Sequence, residues 1–504
     1  MLIGDYLSRS AQEFPEKVAL VSGERRLQYR DLAGASGALA SFLRDKGLAT
    51  GDRVVIFNDN SPETVIAIFG VLTAGGCMVN VNPLTPPESF GYILNHSGAK
   101  FCIASALKQA VLQQAISLCR RPVHQILVAG GVSGEGISDF GEICARRAGT
   151  PAQDLRREDL AAIIYTSGST GKPKGATLTH GNIDMVTSSV TGYLGHTSDD
   201  VILQFLPLSI GYGLLQLLVT FKNGGTLVLE KGFGYPYEII RKLKEEHVTG
   251  FAGVPTVYSI LTHFKELEKE KFPSLRYITN AAAAMPPSFI PRLQEIFPTT
   301  KIFLMHGLTE CLRTTFLPPE EINRRPTSVG KGMEGVELWL EDPEGKRLGA
   351  GETGELVVRG ANLMKGYWND PELTSKVLRR SANAPDKVLY SGDLFRTDED
   401  GFFYFVARTD EVIKSRGMKI SPLEVENVIY LLDQVLEVRV IGMLDERLGQ
   451  AVKAEIVLKK GSGLTEFDVK AHCRERLEEY KIPQNVEFVA ALPKSAGGKI
   501  KRLA

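Results

Sequence analysis

Residues 165 to 175 read Tyr-Thr-Ser-Gly-Ser-Thr-Gly-Lys-Pro-Lys-Gly and follow the apolar run 160–164. Glycine lets the backbone approach an anion closely, the hydroxyls of Thr166, Ser167, Ser169 and Thr170 donate hydrogen bonds, and Lys172 and Lys174 neutralise charge. The combination reads as a phosphate cradle and narrows the ligand to a nucleotide. It is not the common P-loop, which needs a glycine five residues before the Gly-Lys pair and a hydroxyl after the lysine. Thr166 and Pro173 stand in those places. Proline offers no N–H and disfavours helix at the residue before it, so no helix is expected to start at Lys172. Read alone, the stretch would also suit a solvated turn with no ligand.

A chain of 504 residues is too long for one core and suggests roughly three folding units. Lysine plus arginine number 59 and aspartate plus glutamate 59, so no basic excess points to nucleic acid and the expected partner is a small molecule. Cys77, Cys102, Cys119, Cys144, Cys311 and Cys473 include no Cys-x-x-Cys pair, which fits reduced thiols in a cytoplasmic protein and argues against a metal cluster. The opening Met-Leu-Ile-Gly-Asp-Tyr-Leu lacks the pattern of a signal peptide. The most apolar region, 201–229, is broken by Pro207, Lys222 and Asn223 before it reaches the roughly 20 residues a membrane span needs. A soluble protein with no membrane span is expected.

Short β-branched runs at 52–57, 77–81, 100–103 and 125–129 alternate with amphipathic stretches, the rhythm of α/β layers. A helix is expected over about 183–194, and further strands at 201–205, 226–229, 250–252, 277–279 and 301–304, with ligand loops at their ends. From about residue 327 short strands at 336–340, 354–359 and 402–406, with an Asp342-Pro-Glu-Gly turn, suggest a small β subdomain over 327–407. After Arg408, Ser421 is expected to cap a helix, with Pro422 in its first turn and Glu424 completing a capping box. Strands at 436–442, 451–458 and 486–489, a helix over about 466–480 and a Lys-Ser-Ala-Gly-Gly-Lys loop complete a small α+β unit. The expected fold class is α/β: a large N-terminal body, 1–409, and a C-terminal domain, 410–504.

Five further segments decide the chemistry: Leu-Pro-Leu-Ser-Ile-Gly-Tyr-Gly at 206–213, His-Gly-Leu-Thr-Glu at 306–310, Ser-Gly-Asp-Leu at 391–394, Ala-Arg-Thr-Asp-Glu-Val-Ile-Lys-Ser-Arg-Gly at 407–417, and Gly-Gly-Lys-Ile at 497–500. With the 165–175 loop, and in this order over nearly the whole chain, they resemble the adenylate-forming superfamily of acyl-CoA synthetases, stand-alone adenylation enzymes and luciferases. The resemblance implies that a carboxylate attacks the α-phosphate of ATP, expels pyrophosphate and, as the acyl adenylate, meets a thiol. Thr166, Ser167, Gly168, Ser169, Thr170, Gly171, Lys172 and Lys174 would then hold ATP phosphates. Glu310 matches the family's Mg2+ carboxylate and Thr309 its α-phosphate hydroxyl. Without its neighbours Glu310 would read as an exposed carboxylate, and Asp393 as a turn cap.

By the same resemblance, His306, where the family usually has tyrosine, would stack on adenine beside Gly307 and Ala283. Asp393 would accept the ribose hydroxyls, with Arg408 near ribose and phosphate. Lys499 would bridge carboxylate and α-phosphate, Asp410 would be the hinge of a mobile C-terminal domain, and Gly417 would leave room for a pantetheine arm. The acid pocket would be lined by Ile210, Tyr212, Val254, Ala281, Ala282 and Gly307. No aspartate stands between Leu206 and Gly213 to meet an α-ammonium, so the expected acid lacks an α-amino group. Ala281 to Ala284, where relatives often show Gly-Gly-Ala-Pro, would narrow the pocket towards a medium-sized aliphatic or aryl acid. The expected thiol is CoA, with the phosphopantetheine of an acyl or peptidyl carrier protein as the alternative. A non-catalytic nucleotide-binding protein is the reading from a different class.

Overall fold

The run Val54 to Phe57 is buried at every residue, which only a strand covered on both faces tolerates. In the computed structural model, which describes residues 1–128, 136–146, 154–167, 172–445, 447–495 and 498–502, this strand, Arg53–Phe57, pairs in parallel with Cys77–Asn80 and with Phe101–Ser105. The chain divides into two compact units of interleaved segments. The first comprises Met1–Ala252, Gly307–Arg313 and Gly360–Leu378; the second comprises Gly253–His306, Thr314–Arg359 and Arg379–Ala504.

In the first unit an eight-stranded sheet runs in the order Gly366–Tyr367, Pro173–Thr179, Leu160–Ser167, Cys77–Asn80, Arg53–Phe57, Phe101–Ser105, His124–Val128, Ile137–Asp139. Its position 160–179 corrects the sequence reading. The strand expected to end at Ile164 continues to Ser167 and turns back antiparallel, with Thr166 opposite Lys174 and Ser167 opposite Pro173. Residues 165–167 and 173–175, which read as loop, are therefore paired strand, and Pro173 opens a strand, a place that tolerates its missing N–H. Gly168, Ser169, Thr170 and Gly171 lie outside the described residues, as does Ala129 at the end of the expected strand 125–129. The helix that follows starts at His180, not 183, because Thr179 and Asn182 cap each other reciprocally; Gly195, at φ 62°, closes it. A second group of strands in this unit sets Val201–Gln204 parallel to Thr226–Leu229, which is parallel to Val18–Ser22. The apolar helix Gly211–Lys222 follows, buried from Tyr212 to Phe221.

In the second unit Tyr277–Asn280 and Lys301–His306 are parallel, and an antiparallel succession of Thr315–Phe316, Ser328–Gly332, Phe403–Arg408, Lys387–Thr397, Thr353–Gly360 and Val336–Glu341 extends from them. The eleven-residue strand Lys387–Thr397 escaped the sequence reading. Ser391-Gly-Asp reads as a turn, yet Gly392, at φ 72°, kinks a continuous strand rather than ending it. Further along, Val435–Asp445 and Gly449–Leu458 form a long hairpin, with Asn485–Phe488 parallel to its second strand, and Val425, Val440, Val452 and Val469 fill the core against two helices.

Two details of this region depart from expectation. Ser421 Oγ accepts the Glu424 N–H, but the Glu424 carboxylate takes Lys481 Nζ at 2.6 Å instead of turning back to complete a capping box. The helix expected to reach Tyr480 stops at Arg474, because residues 479–481 form a separate 3-10 turn ahead of Pro483. Among the described residues, no helix is long and apolar enough to cross a membrane.

Gly330 marks a register shift in its strand, with φ 87° and its missing Cβ 1.7 Å from the Phe316 carbonyl oxygen. Gly330→Ala should cost at least about 2–3 kcal/mol, read as a lowered thermal unfolding temperature; an unchanged temperature would contradict this geometry.

Candidate active site

In the first unit the segment after His306 folds into a tight turn. A Cβ at Gly307 would sit 2.3 Å from the Leu312 carbonyl oxygen, and Leu312 itself takes φ 60°. The turn is pinned by Met364 N–H to the Glu310 carbonyl at 2.8 Å, and by Asn362 Nδ2 to the carbonyls of Cys311 and Arg313 at 3.3 and 2.9 Å. Thr309 and Glu310 are carried, half-buried, on it.

Glu310 meets the hairpin through a residue the sequence reading missed. Gly366–Tyr367 pairs with Pro173–Thr179, placing Tyr367 opposite Ala176. Lys174 Nζ donates to the Tyr367 hydroxyl at 2.7 Å, and that hydroxyl donates to Glu310 Oε1 at 2.5 Å. Lys174 lies 3.3 Å from the same carboxylate oxygen and 4.6 Å from the centre of the Tyr367 ring. Met-Lys-Gly-Tyr-Trp carries no spacing that marks a phenol for this place, so only the fold reveals it. Thr166 faces Lys174 across the ladder, and Lys172 is exposed. Ile210 and Tyr212 stand at the start of their helix against the same turn: Leu312 Cδ2 would lie 2.8 Å from a Cβ at Gly211.

In the second unit Asp393 is 3% exposed and both its oxygens are engaged. Arg408 Nη1, directly across the ladder, donates to Oδ1 at 2.8 Å, and His306 Nε2 lies 3.0 Å from Oδ2. His306 Nδ1 is 2.8 Å from Thr314 Oγ1, so the ring is held at both nitrogens. Phe395 stands edge-on to that ring at 5.0 Å. Burial works against the Arg408 charge, but Asp393, Asp410 and Glu411 outweigh it and raise its pKa. Asp410 is exposed and accepts from Arg408 Nε at 3.3 Å.

Lys499 belongs to the same unit. The Gly498 carbonyl accepts from Thr256 Oγ1 at 3.3 Å, beside Val254, and Lys499 N–H meets Ser495 Oγ at 3.2 Å. Burial lowers the Lys499 ammonium below the usual lysine range, against the opposing pull of Glu411 and Asp393, which are near enough to act on it. Of the alanine run, Ala281 is buried, Ala282 is exposed at φ 70°, and Asn280 Nδ2 bonds the Ala283 carbonyl at 2.9 Å. The Ala282 conformation is one that favours glycine. Gly417, at φ 76°, shares a two-residue hairpin turn with Arg416 and has nothing within 4 Å of its missing Cβ. Gly497 lies outside the described residues.

The structure thus joins Lys174 to Glu310 in one unit, and His306, Asp393, Arg408 and Lys499 in the other. Residues 7–368 match the model of the AMP-binding enzyme family, and residues 424–499 that of the AMP-binding enzyme C-terminal domain. The chain belongs to the AMP-binding enzyme family. It is 31% identical to a long-chain-fatty-acid–CoA ligase of Bacillus subtilis (strain 168), over 98% of this chain and 92% of the relative. It is 32% identical to a feruloyl-CoA synthase of Amycolatopsis sp, over 99% and 97%. A crystal structure of an anthranilate CoA ligase in complex with anthranoyl-AMP superposes with a TM-score of 0.91 at 27% identity, covering 99% of this chain and 95% of that one. The chain is an AMP-forming acid–CoA ligase, and ATP and CoA are the co-substrates its family implies.

For this AMP-binding enzyme, Tyr367→Phe removes the hydroxyl between Lys174 and Glu310. The KM for ATP should rise by about 3–10-fold, the worth of one or two hydrogen bonds, with the thermal unfolding temperature little changed. An unaltered KM would show that the link does not position either group.

Proposed function

We propose that the chain activates a carboxylic acid lacking an α-amino group as its adenylate and transfers it to the thiol of CoA, with Lys499, Asp393 and Arg408 serving the first step. The observation that carries this reading is the presence in one unit of a buried acceptor, Asp393, and an ammonium, Lys499, close enough to feel its charge. A carboxylate has about four lone-pair sites. His306 and Arg408 use two on Asp393 and leave two for the ribose hydroxyls. Attack of one anion on another needs positive charge where the new bond forms, and a lysine on a short glycine loop supplies it and can withdraw.

The acidic side of the phosphate site fits a hard cation. Among the described residues only Glu310 Oε1 is engaged, by the Tyr367 hydroxyl and Lys174, which leaves Oε2 to hold Mg2+ together with phosphate oxygens of ATP. The ion, when bound, offsets charge on the departing pyrophosphate. Thr309 would meet the α-phosphate, while Thr166, Ser167, Gly168, Ser169, Thr170, Gly171, Lys172 and Lys174 would meet the others. His306 and Ala283, beside Gly307, would flank the adenine. Ile210, Tyr212, Val254, Ala281, Ala282 and Gly307 would line the acid pocket. Supporting a mobile domain over 410–504 is the exposed Asp410, which would serve as its hinge. The open space at Gly417 suits a pantetheine arm. The free cysteines suit a reducing, cytoplasmic compartment.

ATP–pyrophosphate exchange over a panel of carboxylic acids, followed by thioester formation with CoA against a holo carrier protein, tests the reading. Acid-dependent exchange and faster transfer to CoA are expected; no exchange with any acid would overturn it. Lys499→Ala should lower exchange by about 10²–10³-fold while sparing thioester formation from supplied acyl adenylate; equal loss of both would refute the role. The protonated form is the working one, so with its pKa lowered the alkaline fall of adenylation should begin below that of an ordinary lysine. Lys499→Arg should move that limb upward, and an unmoved limb would assign it to another group.

A further inference from the structure

Four cationic side chains are buried among the described residues: Lys242, Arg313, Arg325 and Lys481. Three have carboxylate partners. Lys242 pairs with Glu246, Lys481 with Glu424 and Glu478, and Arg325 with Glu321, Asp398 and Asp400. Arg313 is 2% exposed, its Nε is buried with no hydrogen-bond partner, and none of the described carboxylates lies within ion-pair distance. Its guanidinium rests 5.1 Å from the centre of the Tyr212 ring. It also acts on Tyr193, whose hydroxyl burial pushes up to about 12 while the Arg313 charge pulls it back. A guanidinium stays charged at any ordinary pH, and removing it from water costs more than an aromatic face returns.

Its place in the fold says which anion is missing. Arg313 ends the turn that carries Thr309 and Glu310, and Asn362 holds its carbonyl at 2.9 Å. Leu312 packs at Gly211, so the guanidinium is set against the opening residues of the helix that carries Ile210 and Tyr212 at its start. Ser209 Oγ, one residue before Ile210, is also buried without a partner. This is the segment expected to receive the acid rather than the hairpin expected to receive phosphate.

We propose that Arg313 binds a second anionic group of the acid substrate, making this ligase selective for dicarboxylic over monocarboxylic acids. The inference rests on the acid–CoA ligase reading and adds the class of acid to it. A planar fork of donors matches a carboxylate in two parallel hydrogen bonds, and an acid without that group would leave the charge buried and unpaired. Selectivity of this kind comes as much from the penalty on the wrong acid as from the gain on the right one.

The test is ATP–pyrophosphate exchange with length-matched pairs: hexanoate against adipate, octanoate against suberate, benzoate against isophthalate. The wild-type protein should favour the dicarboxylate of at least one pair by about 10–100-fold in kcat/KM, and Arg313→Leu should lose more on that acid than on its partner by a similar factor. Arg313→Lys, which keeps the charge but not the fork, should fall between and serves if the leucine variant does not fold. Equal rates for both members of every pair in the wild-type protein would overturn the inference. So would equal loss on both acids, the mark of a clamp on Tyr212, or a rise confined to the KM for ATP, the mark of a phosphate ligand. Exchange with none of the acids would instead sink the ligase reading itself, which separates the two failures.

Discussion

A buried carboxylate must be supplied with donors, and Asp393 obtains them from two separate stretches of chain. Arg408 reaches it across the ladder between Lys387–Thr397 and Phe403–Arg408, and His306 reaches it from the end of Lys301–His306. Breaking a buried, paired charge typically costs about 3–5 kcal/mol. The antiparallel strands of the second unit therefore have one register that leaves no charge stranded at Asp393. The kink at Gly392 belongs to the same constraint, since a Cβ there would press within 3.3 Å of the Arg408 guanidinium. Replacing the family's usual tyrosine by His306 adds a nitrogen able to donate to that carboxylate, so one residue bonds the acceptor and can still offer a ring face to a base.

The first unit meets an analogous requirement differently. Glu310 is less buried, and its partners come from a hairpin and a two-residue strand. The tyrosine hydroxyl between Lys174 and Glu310 accepts from one and donates to the other, which keeps ammonium and carboxylate near each other without committing both carboxylate oxygens. On the proposed reading, a site that admits phosphate and a cation would gain from such a loosely tied pair, because neither group would have to give up a full ion pair when ligands arrive.

Much of this was legible in the sequence, for physical reasons that can be named. Continuous apolar runs such as 53–57 specify buried parallel strands, and Pro173 opens a strand where a P-loop would need a helix from Lys172. Spaced polar motifs singled out Glu310, Asp393, Arg408 and Lys499, which the structure places on a turn, within a strand, at a strand end and beside the Lys494–Ile500 bridge. Illegible were features that depend on partners distant in sequence. Tyr367 gains its place only through pairing with Ala176; Glu424 abandons its capping box for Lys481; Lys387–Thr397 hides a strand behind a turn-like Ser-Gly-Asp. A local pattern states what a residue can do, and the tertiary partner decides which of those it does.

The acid pocket shows the same limit most sharply. In the sequence Ile210 offers an apolar side chain, and the alanine run at 281–284 reads as narrowing the pocket towards a medium-sized acid. Arg313 lies outside both stretches, and in sequence it is simply a basic residue after the His-Gly-Leu-Thr-Glu segment. Its meaning comes from burial without a counter-ion, a property of the folded chain alone. An apolar lining does not conflict with that charge; it strengthens it, since a low-dielectric wall makes the cost of an unmatched guanidinium larger and the reward for a matching anion greater. Apolar walls would then accommodate the carbon skeleton while a single fixed charge selects the far end of the acid.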